Sequence, residues 1–218
     1  MNNRFLALGV PLLLLVACSK PASDEIGFGH FEENRYINEY FNFQITLPET
    51  WDIQEQETLN AMTKTGAEMI AGNNKNLQSA VRAAELQTVN LFAVFKFPAG
   101  SPVDSNPNLI CVAERLNLTP GIKTGKDYLF HVKKFITAGN VEISFPKEVY
   151  SIDLSGEKFH ILEAEMDLGV AKIQQMYCST VLKDYALGMV LTYTNDSEKA
   201  ELMKILDTVV LSQDSSTS

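Results

Sequence analysis

The sequence predicts an α+β domain with a largely antiparallel β-sheet and helices on both faces of that sheet. Several segments either alternate apolar with polar residues or run almost continuously apolar, and both patterns are typical of strands. Two other regions repeat apolar residues at helical spacing. Most strand-like segments follow one another after residue 140, and continuously apolar strands need cover on both faces, which helices would supply.

The first half of the domain contains an alternating strand, a helical region and two further strands. Residues 41–47 alternate with a period of two, and a proline ends this strand. Helical spacing runs over residues 59–84, with a break predicted at the Gly-Asn-Asn of residues 72–74. Residues 91–95 are nearly continuously apolar, as expected of a strand covered on both faces, and residues 108–118 predict another strand.

The second half begins with a capped helix and continues as a series of strands. Thr124 and Asp127 predict a capping box, with aspartate in place of the usual glutamate, at the start of a helix. The strand-like segments that follow are 141–145, 149–154, 159–166, 171–182 and 185–193. Ser155-Gly156 predicts a hairpin turn, and Asn195 with Glu198 predicts the start of a final helix.

Residues 1–17 predict a signal peptide. Arg4 supplies a positive charge, and the apolar stretch that follows is about twelve residues long, too short for a spanning helix of about twenty. Leu15-Val16-Ala17-Cys18 resembles the lipobox of bacterial lipoproteins, which implies a diacylglycerol on Cys18 and cleavage before it. Ser19 is not the aspartate that favours inner-membrane retention. The resemblance therefore implies an outer membrane address facing the periplasm, where the source has two membranes.

The predicted mature chain has three parts and is acidic. Residues 18–33 form the lipidated cysteine and a tether, residues 34–211 a single globular domain, and residues 212–218 a flexible tail. The net charge of -9 becomes -10 once Arg4 is removed. Because this charge repels phosphates and anionic headgroups, we expect no nucleic-acid partner, and we expect the membrane to be bound only through acyl chains on Cys18.

Two cysteines remain beside Cys18. Cys111 and Cys178 could form a disulfide, because an exported protein meets an oxidising compartment in many bacteria. Both, however, lie within strand-like segments, where a buried cysteine packs as a small hydrophobic residue. Two isolated thiols do not make a zinc site, since structural zinc takes clustered ligands at short spacing. No metal site is predicted.

One basic cluster stands out in the acidic domain. It combines Lys123, Lys126, Lys133 and Lys134 with a single Asp127. Such a cluster could dock an anionic partner or face the membrane. The alternative is an ordinary solvated helix face.

The sequence carries no recognised catalytic or cofactor motif. There is no nucleophile elbow, phosphate loop or dinucleotide fingerprint, so no cofactor is expected. His30, His131 and His160 are far apart, and surface positions explain all three. Glu163 and Glu165 share one strand face and could act as an acid–base pair, although carboxylates on an exposed strand more often meet only solvent.

The structural motifs together resemble a known family. They are Leu47-Pro48 followed by Trp51, residues 156–159, residues 174–177, and Tyr185 leading into residues 191–194 before the last helix. This pattern is similar to uncharacterised bacterial lipoproteins with a PsbP-like, or DcrB-like, α/β/α sandwich. The resemblance extends from Tyr36 to Leu211 and implies no catalytic residue. Known proteins of that fold include a photosystem II subunit and a nuclear-transport factor that binds a small GTPase.

These observations favour a non-enzymatic, lipid-anchored module that binds or assists proteins of the cell envelope. Two alternatives remain open: an envelope hydrolase whose site is assembled from distant residues, and a carrier of a small ligand. A deep pocket with perturbed carboxylates or histidines would favour the enzyme. A deep apolar pocket without them would favour the carrier, and a flat apolar patch would favour the protein-binding module.

Overall fold

The computed structural model describes residues 26–139, 141–167 and 172–212. The predicted signal peptide, Cys18, most of the tether and residues 213–218 of the tail lie outside these residues. The elements in chain order are β1 (His30–Glu32), β2 (Arg35–Asn38), β3 (Phe43–Thr46), β4 (Asp52–Ile53), α1 (Gln56–Ala71), α2 (Lys75–Glu85), β5 (Thr88–Phe95), β6 (Asn108–Arg115), α3 (Gly125–Thr137), β7 (Glu142–Ser144), β8 (Tyr150–Leu154), β9 (Glu157–Asp167), β10 (Lys172–Leu182), β11 (Tyr185–Tyr193), α4 (Asp196–Leu206) and β12 (Val210–Leu211). None of the helices within these ranges is both long enough and apolar enough to cross a membrane.

An eight-stranded antiparallel sheet forms the centre of the fold. Its strand order is β4-β5-β6-β11-β10-β9-β7, and β8 pairs with β9 beside β7. Residues 91–95 of β5 are all buried, as expected for a strand covered on both faces. The predicted α+β class with a largely antiparallel sheet is confirmed.

A second, four-stranded sheet has the order β1-β2-β3-β12. Of these four strands, only β3 was predicted. β1 lies inside the predicted tether of residues 18–33, so residues 30–32 belong to the folded domain instead. The Phe31 ring of β1 lies 5.3 Å from the ring of Tyr36 and 6.2 Å from that of Phe92. β1 pairs with the adjacent β2 across a short turn in which Glu33 has a positive φ of 54°, and its Phe31 ring also contacts the distant Phe92.

Helices cover both faces of the large sheet, as predicted. On the first face, α4 and the small sheet bury a continuous core that includes Phe43, Phe92 and Leu202. On the second face lie α1, α2 and α3, where Leu59 of α1 packs on β5 and Ile136 of α3 packs on β9.

The predicted helix starts and the hairpin are also confirmed. Thr124 and Asp127 form the capping box of α3, in which each side chain accepts from the other residue's backbone N–H. Asn195 caps α4, and a break after residue 71 separates α1 from α2. Ser155 and Gly156 both have positive φ, 57° and 82°, as a tight hairpin turn requires.

Candidate functional site

A groove of about 340 Å³ lies on the second face of the large sheet, between α1 and α3. We call it the central groove. The middle strands β6, β11 and β10 form its floor, and the two helices form its walls. Its lining includes Met62, Gly66, Ala67, Met69 and Ile70 of α1, Ile110 and Val112 of β6, Gly188 and Val190 of β11, Gln175 and Tyr177 of β10, and Tyr128, Val132 and Phe135 of α3.

Two glycines leave the space that the groove occupies. Gly66 follows Met62 and precedes Ile70 by four residues each, so it belongs to the stripe of α1 that faces the sheet. A Cβ atom added at Gly66 would meet nothing within 4 Å. One added at Gly188 on the floor would meet only a methyl group of Val112, at 3.6 Å. Side chains that would otherwise fill the gap are therefore missing from both its wall and its floor.

The two helices converge at one end of the groove. Gly139 directly follows α3, and a Cβ atom there would come within 2.5 Å of the Ile70 carbonyl oxygen of α1. The C-terminal ends of α1 and α3 are therefore in contact. Away from that end, Ile110, Val112 and Val190 of the floor remain only partly buried. The middle of the sheet thus presents apolar side chains that no helix fully covers.

The polar side chains of the lining already have partners within the protein. Thr63 donates to the Leu59 carbonyl at 3.0 Å. Ser179 donates to a backbone carbonyl, the Tyr177 hydroxyl donates to the Gln175 amide oxygen, and the Gln175 amide nitrogen donates to a threonine hydroxyl. Among the described residues, the lining contains no Asp, Glu, Lys, Arg or His. The groove is therefore electrically neutral as well as largely apolar.

A partly buried acid lies next to the groove without lining it. The Tyr128 hydroxyl of α3 donates to the carboxylate of Glu114 at 2.8 Å. Burial raises the pKa of Glu114, although the hydrogen bond from Tyr128 and the nearby His131 oppose this. Burial likewise raises the pKa of Tyr128. Among the described residues that line the groove, only Tyr128 and Tyr177 present a titratable side chain to it, because the Cys178 side chain packs on the first face. This part of the lining therefore offers no acid–base pair.

The structure does not join the two predicted disulfide partners. Cys178 on β10 lies opposite Met189 on β11, which in turn lies opposite Cys111 on β6. The cysteines are therefore two strand spacings apart, about 9.6 Å, whereas a disulfide needs Cα atoms within about 7 Å. Both are free and buried, and burial raises the pKa of each thiol. The alternative reading, that they pack as small hydrophobic residues, is the correct one.

The predicted lysine patch surrounds α3 but does not reach the groove. Lys123, Lys126 and Lys134 are exposed, and Lys133 is partly buried. The ammonium groups of Lys133 and Lys134 lie over phenylalanine rings, at 4.6 and 5.6 Å from the ring centres. The carboxylate of Asp127 is engaged in the helix cap. None of the four lysines lines the central groove.

Glu163, expected to meet solvent, is instead buried on the first face. Its Oε1 atom accepts hydrogen bonds from the Tyr150 hydroxyl at 2.6 Å, from Lys199 at 3.0 Å and from Lys147 at 3.3 Å. Burial alone would raise the pKa of Glu163, but the bonds from Tyr150 and Lys199 outweigh it and hold the pKa below its ordinary value. Glu165 on the same strand face is exposed. The acid–base pair suggested by the sequence is therefore an ion cluster that joins β9 to α4.

The histidines are not brought together. His30 lies at the surface between Glu32 and Glu39, and His131 is exposed. His160 is only partly exposed, its Nδ1 atom finds no hydrogen-bond partner among the described residues, and burial lowers its pKa. The surface interpretation is therefore wrong for His160. Within the described part of the chain, no three His, Cys, Asp or Glu side chains gather as metal ligands would.

The groove was not predicted from the sequence, although two glycines give a signal for it. A glycine in the apolar stripe of a helix and another within an apolar strand each lower the stability of their element unless packing or function requires them. Gly66 and Gly188 are such residues. What the sequence could not show is that they lie above and below the same gap.

No protein-family model matches the sequence, and no curated protein matches it. Among solved structures, the chain is similar to cyanobacterial PsbP (CyanoP) from Synechocystis sp. PCC 6803, with a TM-score of 0.48 and 11% identity over 82% of this chain and 91% of that one. It is also similar to PA94 of Pseudomonas aeruginosa, a protein of unknown function, with a TM-score of 0.42 and 14% identity over 56% of this chain and 82% of that one. Likeness at these values concerns the arrangement of helices and strands and carries no functional information.

Proposed function

We propose that this protein is a non-catalytic binding module of the bacterial cell envelope, anchored by acyl chains on Cys18, whose ligand occupies the central groove. The observation that supports it most is the partial exposure of Ile110, Val112 and Val190 in the middle of the sheet. Interiors of folded proteins are close-packed, so an uncovered apolar floor between two helices is the usual form of a ligand site.

The composition of the groove supports binding rather than catalysis. Catalysis of hydrolysis needs a nucleophile or an activated water together with a base in hydrogen-bond reach. The hydroxyl groups of the lining are bound to neighbouring groups of the protein, and the Cys178 side chain packs in the core of the first face. The apolar pocket without perturbed acids or histidines in its lining is the arrangement expected of a carrier.

The anchor and the groove are compatible in position. From Ser19 to Gly29, eleven residues separate the predicted lipidated cysteine from β1. Fully extended, they span at most about 40 Å. The proposed anchor would therefore keep β1 within about 40 Å of the membrane surface. The groove would lie no farther away than this distance plus the width of the domain.

Photocrosslinking in cells tests the groove. A benzophenone amino acid in place of Met69, which lines the groove and is 52% exposed, should form an adduct detectable in the intact protein mass. The same residue in place of Leu86, which lies at the end of α2 and is 84% exposed, should not. A leucine at Gly66 should remove the Met69 adduct. Equal adducts at both positions, or none at either, would contradict the proposal.

Labelling with a palmitate analogue tests the anchor separately. We expect incorporation into the wild-type protein and none into Cys18→Ser. Unlabelled wild-type protein that keeps residues 1–17 would contradict the lipid anchor. It would not bear on the proposal that the groove binds a ligand.

A further inference from the structure

We infer that the ligand of the central groove is a single acyl or alkyl chain of a lipid. This inference rests on the proposed function and adds the chemical class of the ligand. It follows from the size of the groove, from the hydrogen bonding of its lining and from its lack of charge.

The volume of the groove is too small for a partner helix. One turn of an α-helix with its side chains is about 10 Å wide and about 5.4 Å long, which amounts to about 420 Å³. The groove offers about 340 Å³. A helix could therefore lay only one face against the opening, whereas a single hydrocarbon chain can be enclosed within the gap between α1 and α3.

The hydrogen bonding of the groove excludes an extended peptide. A bound strand adds to a free sheet edge, but β6, β11 and β10 under the groove each have a neighbour on both sides. The polar side chains of the lining are paired with other groups of the protein. A peptide in the groove would therefore bury N–H and C=O groups without partners, whereas a hydrocarbon chain has no such groups.

The lining also determines which part of a lipid can enter. Because no charged side chain lines the groove in the part of the chain that the structure describes, an ionised headgroup would find no counter-charge there. The chain therefore lies inside and the headgroup remains outside the gap. The flexible thioethers of Met62 and Met69 adapt readily to apolar ligands of varied shape.

Titration calorimetry with a homologous series tests the inference. The protein is the chain from residue 18 to residue 218 with Cys18→Ser, so that no lipid of its own competes, and the probes are decanoate, dodecanoate and tetradecanoate. Each buried methylene should tighten binding about fourfold, so each step of the series should tighten it about fifteenfold until the groove is full. The affinities for dodecanol and dodecylamine should lie within about tenfold of the affinity for dodecanoate, because the groove does not contact the headgroup charge.

Two leucine variants of α1 localise the site. Gly66→Leu fills the empty space under the helix and should weaken dodecanoate binding at least tenfold. Ala61→Leu adds a side chain to the exposed side of the same helix and should leave binding unchanged. Circular dichroism of both variants checks that the helix is intact.

The outcomes separate this inference from the proposed function. Affinity that does not change with chain length, or that survives Gly66→Leu, overturns the acyl-chain assignment. If fatty acids fail to bind while the Met69 adduct proves to be a peptide, the assignment of an acyl-chain ligand is wrong. The proposal of a binding module is then still supported. If neither fatty acids nor adducts are found, both proposals fail.

Discussion

Replacing Glu163 by Gln should destabilise the protein by about 2 kcal/mol at neutral pH. The bond from Tyr150 changes from one with a charged acceptor, which contributes about 1.5–3 kcal/mol, to a neutral one of about 1 kcal/mol, so it should lose about 1 kcal/mol. Lys199 stays charged but loses its ion pair with a carboxylate that is 8% exposed, which should cost about another 1 kcal/mol. The side chain of Lys147 is 58% exposed and adds little, because solvent screens it. For a chain of this length, 2 kcal/mol corresponds to a decrease in Tm of about 4–8 °C.

The loss should depend on pH in a defined direction. The pKa of Glu163 is lowered in the folded protein, so the unfolded chain takes up the proton first as the pH falls. The stabilisation is therefore complete above the ordinary glutamate pKa of about 4.3 and declines as the pH falls through the folded pKa. Because glutamine does not titrate, the difference between wild type and Glu163→Gln should be largest at neutral pH and should shrink below pH of about 4.3.

Urea unfolding at several pH values measures this difference. Glu165→Gln is the matched control, because Glu165 lies two residues away on the same strand face and is exposed. It should change the free energy of unfolding by less than about 0.5 kcal/mol. A loss in Glu163→Gln no larger than in the control, or one that does not vary with pH, would refute the stabilising role of the cluster.

Further predictions concern packing and thiols. Gly66→Ala should raise the free energy of unfolding by about 0.5–1 kcal/mol in urea titrations, because alanine favours the helix and its Cβ atom has free space. Gly139→Ala should lower it by about 1–3 kcal/mol, because its Cβ atom would meet a backbone oxygen at 2.5 Å. Thr124→Ala should lower it by about 1–2 kcal/mol through loss of the capping box, whereas an unchanged value would mean that the cap contributes nothing. Cys111 and Cys178 should react with iodoacetamide only after unfolding, and a disulfide between them in peptide mapping would contradict the strand register.

The elements that the sequence predicted correctly depend on short-range patterns. The capping box of Thr124 and Asp127 involves residues three apart, and the hairpin at Ser155-Gly156 depends on two adjacent residues. The continuous apolar run of residues 91–95 indicates directly that both faces of this strand are buried. In each case the physical cause lies within a few residues of the pattern, so the sequence shows it without coordinates.

The errors concern features whose partners are distant in the chain. The Phe31 side chain of β1 packs partly against the distant Phe92, and Glu163 is buried beside Lys199, which arrives from α4. Alternation along β9 predicted which face Glu163 occupies but not what covers that face. For the same reason the sequence left open whether Cys111 and Cys178 form a disulfide or pack separately, since only strand order places β11 between them.

By itself, the sequence determined the α+β class, most helices and strands, and an acidic domain without a recognised catalytic motif. It also carries the prediction of a lipid anchor at Cys18, which labelling can test. Only the tertiary structure decided that Gly66 of α1 lies above the floor formed by Val112 and Gly188, leaving a neutral apolar groove between them. The physical reason is that periodicity fixes which face of an element is apolar, whereas the space between two such faces depends on how distant elements meet.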